Sequence, residues 1–166
     1  MLAAALGVLL AGCGTAARGV QPRDGRSGLQ GTGTLEGRQV AVGQGAPDLV
    51  VGDCDPIDEP DDDVCFVSDT IDGRTFVLTF ENPAVLVTGA ALPVGGADCT
   101  SPRTCDAVAD VAVVSLKLGT DDAVRADGGS LTLSRVEPFG NYVGEVILEL
   151  GDGGFTGTFD VVPPPE

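Results

Sequence analysis

From residue 74 onward, apolar and polar residues repeatedly alternate with a period of two, which is the side-chain period of a half-buried β-strand. In Arg74-Thr-Phe-Val-Leu-Thr-Phe80 the residues Phe76, Leu78 and Phe80 share one face, with Thr75 and Thr79 on the other. Tyr142 to Leu150 puts Val146, Leu148 and Leu150 on one side and Glu145 and Glu149 opposite. Ser130-Leu-Thr-Leu-Ser134 alternates in the same way, and Phe155, Phe159 and Val161 are in phase. Asp110 to Leu118 is a plainer Val-rich strand. Asp72-Gly73 predicts a type I′ turn that pairs Val64–Thr70 with the strand after it. Asp152-Gly153-Gly154 predicts a second turn, and the proline run Pro163 to Pro165 ends the sheet. No window of comparable length has a helical period.

Five or more short strands with turn signals between them predict an all-β fold: a single antiparallel β-sandwich, or a partly closed barrel. Loops of very unequal length favour the sandwich. Thr32-Gly-Thr-Leu-Glu36 echoes Thr156-Gly-Thr-Phe-Asp160, which suggests two equivalent strands. With 166 residues, the chain has room for one such domain and no second core.

The first residues follow another logic. Met1 to Ala11 is uninterruptedly apolar, and as a helix would be about 16 Å long, half of a bilayer core. It reads as the hydrophobic region of an export signal. Leu10-Ala11-Gly12-Cys13 resembles the lipobox of bacterial lipoproteins, in which the cysteine thiol receives a diacylglyceryl group and the leader is cut just before it. No Lys or Arg precedes Cys13, which is accounted for if translation starts upstream of Met1. The resemblance implies a signal peptide over 1–12, lipidation at Cys13 and residence in the cell envelope. With Gly14 after the cysteine, the expectation is the outer membrane in a Gram-negative cell, and otherwise the outer face of the plasma membrane. Residues 13–33 are Gly, Thr, Ala, Arg, Gln, Pro and Ser without apolar periodicity, and read as a flexible tether. The sandwich domain is then expected over 34–162, with a Pro-rich tail at 163–166.

Export places the remaining cysteines in an oxidising compartment, and their even number fits disulfides. Nearest-neighbour pairs, Cys54–Cys65 and Cys99–Cys105, close two short polar loops. The first encloses an unusually acidic run in which Asp53, Asp55, Asp58, Asp61 and Asp63 offer the oxygen ligands that Ca²⁺ prefers. Pro56 and Pro60 keep the chain extended there and no glycine supplies the sharp turn of an EF-hand loop. The run therefore reads as a solvated loop, with calcium-dependent binding or adhesion as the alternative and no other cofactor expected.

A leader, a lipobox and a terminal strand pair reading Gly140-Asn-Tyr-Val-Gly-Glu-Val-Ile-Leu-Glu-Leu150 and Phe155-Thr-Gly-Thr-Phe-Asp160 together resemble a loose group of uncharacterised lipoproteins from GC-rich bacteria, myxobacteria among them. The group implies a small β-domain behind a lipid anchor and no particular activity.

A net charge of −16 excludes nucleic acid as a natural partner, because phosphate recognition rests on Lys and Arg. The sequence contains no histidine, so neither a Ser-His-Asp triad nor a Cys-His pair can form. The expectation is therefore a non-catalytic binding module held to the membrane by lipid, with an envelope protein as partner. For the acidic run, the expected result is no calcium-specific change in melting temperature at about 5 mM calcium and matched ionic strength. A rise of several degrees that Asp61→Asn with Asp63→Asn abolishes would establish the calcium reading instead.

Overall fold

The computed structural model describes residues 28–43, 63–95, 99, 104–105, 107–138 and 140–162, with 48–51 as backbone. Its strands are β1 (Gly28–Leu35), β2 (Arg38–Val42), β3 (Asp48–Val51), β4 (Val64–Asp69), β5 (Thr75–Phe80), β6 (Ala91–Pro93), β7 (Val114–Leu118), β8 (Val124–Arg125), β9 (Gly128–Val136), β10 (Tyr142–Leu150) and β11 (Gly153–Val161). They form a six-stranded sheet in the order β2-β1-β11-β10-β9-β6 and a five-stranded sheet in the order β3-β4-β5-β7-β8. Every strand pairing is antiparallel and neither sheet closes on itself, so the fold is a sandwich.

The alternation read from the sequence fixes which face each strand buries. Phe76, Leu78 and Phe80 point inward from the five-stranded sheet, while Leu148, Leu150, Phe155, Phe159 and Val161 point inward from the six-stranded sheet. Aromatic rings meet across the interface. Phe66 sits 5.0 Å from Phe159, 5.3 Å from Phe80 and 5.9 Å from Tyr142, ring centre to ring centre, and Phe76 lies 5.0 Å from Phe155.

These rings fit because glycines lie under them. A Cβ on Gly157 would come within 2.7 Å of the Phe155 ring, and one on Gly31 would also strike it. At Gly144 a Cβ would lie 2.6 Å from the Phe159 ring and also collide with the Thr132 carbonyl oxygen. Gly31 faces Gly157 across the β1–β11 pair, and Thr32 faces Thr156. The two echoing Thr-Gly-Thr segments, read from the sequence as equivalent strands, are neighbours in one sheet.

At β2 and beside β6, single bridges tie an edge of the six-stranded sheet to the other sheet. Val42 at the end of β2 bridges Thr70, and Ile71 N–H donates to the Ala41 carbonyl at 2.9 Å, joining the outer edge of one sheet to the β4–β5 hairpin of the other. On the opposite side Val94 bridges Ala112, with Ala112 N–H donating to the Pro93 carbonyl at 2.9 Å. Backbone groups at an unpaired edge would otherwise invite another chain.

Several expectations are corrected. The sheet begins at Gly28, so residues 28–33 belong to β1 and not to the tether. Within Asp110 to Leu118 only Val114–Leu118 is regular strand; Asp110 has φ +65°, a left-handed turn that breaks the run. The Asp72-Gly73 turn is not type I′. Thr70 N–H donates to the Arg74 carbonyl and Gly73 N–H to the Thr70 carbonyl, with the positive φ of +80° at Gly73 and none at Asp72. That is a three-residue loop ending in a glycine bulge. The two-residue turn with positive φ at both positions is instead Glu36-Gly37, between β1 and β2. The β10–β11 turn is Gly151-Asp152, and Gly153-Gly154 already belongs to β11. The Thr70 hydroxyl and the Arg74 guanidinium hold the Asp72 carboxyl below its ordinary range, so this clasp is present at neutral pH and is lost on acidification. The leader, Cys13, the tether up to residue 27 and the tail 163–166 lie outside the described residues.

The glycine bedding generates a direct test. Gly144→Ala should destabilise the protein by about 1–3 kcal/mol, the usual cost of overpacking against atoms that cannot move. Gly28→Ala, where a Cβ would meet nothing within 4 Å, should shift stability by less than about 0.5 kcal/mol. Denaturant unfolding of both variants checks the pair, and equal stability would refute the packing argument.

Candidate functional site

On the outer face of the five-stranded sheet, where β5, β7 and β8 meet, a carboxylate, a guanidinium and a disulfide come together. Register places Val50, Cys65, Thr79, Ser115 and Arg125 in one cross-strand row running from β3 to β8. Glu81 continues the outward face of β5, and its N–H donates to the Val113 carbonyl at 2.9 Å. Alternation sends Phe80 inward and Glu81 outward, and the same parity makes Val113 the outward neighbour of Val114.

Over Val113 packs a second, smaller apolar cluster of Cys99, Cys105 and Val108. Cys99 and Cys105 are joined by a disulfide with a Cα–Cα distance of 4.9 Å, as the nearest-neighbour pairing expected. Both are buried, Cys99 at 5% and Cys105 at 1% exposure.

Arg125 ties the cluster together. Its Nε donates to Glu81 Oε2 at 3.1 Å and its Nη2 to the same oxygen at 2.5 Å, a forked pair in which the Glu81 side chain is only 13% exposed. Its Nη1 donates to the Cys99 carbonyl at 2.7 Å, and Nη2 lies 3.5 Å from Cys105 Sγ. One guanidinium thus serves a carboxylate, a backbone carbonyl and a disulfide sulfur. The planar fork of Arg can do this where the point charge of Lys cannot.

Next to Glu81, Asn82 is fully buried and works on the adjoining segment. Its Nδ2 donates to the Val108 carbonyl at 3.1 Å and to the Val111 carbonyl at 2.8 Å, while its Oδ1 accepts from Val113 N–H at 2.9 Å. The left-handed Asp110 lies between the two carbonyls. Consecutive residues Glu81 and Asn82 therefore anchor, respectively, the arginine that grips the disulfide and the chain that leads into β7.

The donor atoms of Glu81, Cys99 and Cys105 lie within 4.8 Å of one another, close enough for a metal if both sulfurs were free thiolates. In the disulfide form the sulfurs are bonded to each other and Arg125 covers the carboxylate, so the arrangement is suited to electron-pair exchange at sulfur and not to holding a cation.

Cys65 is also disulfide-bonded, is buried on the same outer face, and has its Sγ 3.6 Å from the Thr79 hydroxyl. Its expected partner Cys54 lies outside the described residues, as do Asp53, Asp55, Asp58 and Asp61. Of the suggested calcium ligands only Asp63 is described; it sits buried immediately before β4. The structure therefore brings together Cys99 and Cys105 from the sequence reading and adds Glu81, Asn82 and Arg125. No spacing in the sequence signals these three, because they come from separate strands and meet only through sheet register.

No protein-family model, curated protein or solved structure matches this chain.

Asn82→Ala should cost about 2–4 kcal/mol, because two half-buried carbonyls and one buried N–H lose their partner at once. Thermal and denaturant unfolding check this, with Thr132→Ala on the exposed face of β9 as the near-neutral comparison.

Proposed function

We propose that this chain is an exported, lipid-anchored protein of the bacterial envelope, cleaved before Cys13, whose β-sandwich serves as a non-catalytic binding module. The observation that carries the reading is the closed Cys99–Cys105 disulfide, backed by a second disulfide at Cys65 on the same sheet face. Closed disulfides belong to oxidising compartments, which is where a leader ending in Leu10-Ala11-Gly12-Cys13 would deliver the chain.

The architecture suits such a role. The six-stranded sheet presents a broad outer face on which Thr32, Thr132, Thr156, Glu145 and Glu149 are exposed around Ile147. Short hydroxyl side chains lose little conformational freedom on contact, and the carboxylates set the sign of a partner's charge. A protein partner with a basic, polar surface fits this face better than an acidic one. Thioether and amide-linked acyl chains would together bury tens of methylenes, at about 0.8 kcal/mol each, and hold the module at the membrane permanently.

The anchor is tested by expressing the gene with its native upstream region and comparing wild type with Cys13→Ala. Wild type should partition into the detergent phase with membranes, and the variant into the aqueous phase. Membrane partitioning that survives the substitution would overturn the reading.

A further inference from the structure

We propose that the Cys99–Cys105 disulfide is a site of thiol–disulfide exchange with a dithiol partner, in which the incoming thiolate attacks Cys99 and Cys105 departs as a thiolate held by Arg125. The two sulfurs are chemically unequal. Cys105 Sγ faces a guanidinium N–H at 3.5 Å, whereas the contact of Arg125 with Cys99 is to its carbonyl oxygen, at 2.7 Å. Exchange is faster when the leaving sulfur has the lower thiol pKa, and a neighbouring cation lowers it.

The cation is in place before charge develops. Glu81 and the Cys99 carbonyl fix the guanidinium against the sheet, so no reorganisation is needed when Cys105 becomes negative. Glu81 and Arg125 act here as positioning residues; the sulfurs alone exchange bonds. An external thiolate forms a bond to Cys99 Sγ, the Cys99–Cys105 bond breaks, and its electron pair leaves on Cys105. A second thiolate from the same reductant then attacks the mixed disulfide, releases Cys99 as a thiolate and carries away the new external disulfide. Two electrons pass from the reductant to the protein, and water supplies the two protons that make the thiols.

Regiochemistry tests the proposal independently of the lipid anchor, since it is read on purified, oxidised full-length protein. The chain is incubated with reduced glutathione, quenched with acid at early times, and mapped by peptide mass spectrometry. Glutathione should appear on Cys99 in about tenfold or greater excess over Cys105. Arg125→Gln should bring the Cys99:Cys105 ratio down to within about threefold, while Arg125→Lys, which keeps a cation, should retain part of the preference. If Arg125 were only a structural clamp, its loss would expose both sulfurs and speed reduction without changing the ratio. An even distribution in wild type, a preference for Cys105, or a Cys99 preference unchanged in Arg125→Gln would each overturn the proposal.

Discussion

Phe66 stands at the centre of the molecule, against Phe80 on its own sheet and against Phe159 and Tyr142 on the facing one. Two β-sheets pack face to face at about 10 Å, and a ring can settle into that gap where neighbouring positions of its own sheet carry no side chain. Gly31, Gly144 and Gly157 provide those positions. Glycine inside a strand ordinarily weakens it, since it gives up the most conformational freedom on folding and contributes no side chain to the packing. Here the bare positions make room for the Phe155 and Phe159 rings, which are buried in the core. The register of β1, β10 and β11 follows from this fit, as a slip of one residue would turn the rings to solvent and the glycines under threonines.

With the inner face committed to aromatics, the outer faces of the two sheets are free to differ. The outer face of the six-stranded sheet stays polar and exposed. That of the five-stranded sheet is partly covered by a second apolar cluster under the Cys99–Cys105 disulfide. Covering a sheet face with irregular chain leaves carbonyls and N–H groups that must find partners, and Asn82 and Arg125 supply them from below. Arg125 is one of nine basic residues in a chain of net charge −16, and it is held where a single guanidinium satisfies three different acceptors. Position in the fold, more than abundance, gives this cation its influence on the adjacent sulfur.

The strands with one buried face, β5, β10 and β11, announce themselves in the sequence because their environment imposes a strict period of two. β2, β6 and β8 do not. They are short edge elements: β2 buries only Val40 and Val42, and Ala91-Leu92-Pro93 is exposed at both ends, so too few residues alternate to stand out. Asp72-Gly73 has the residue types of a two-residue turn yet sits in a three-residue one, while the less distinctive Glu36-Gly37 makes the tight turn. Turn type is decided by which residues on the flanking strands are paired, and pairing is a property of the whole sheet.

The same division separates the parts of the site. Proximity in sequence made Cys99 and Cys105 a legible pair, because closing a six-residue separation needs little more than local geometry. Glu81, Asn82 and Arg125 were illegible, because the sequence separation of 44 between Glu81 and Arg125 is bridged only when β7 aligns β5 with β8. By itself the sequence determined the all-β class, the inward faces of the long strands and the short-range disulfide, all consequences of periodicity and short chain separation. Tertiary structure alone decided the bedding of aromatic rings on glycines, the single bridges between the sheets, and the placing of a guanidinium on one sulfur of a pair, because each depends on register between strands that lie far apart along the chain.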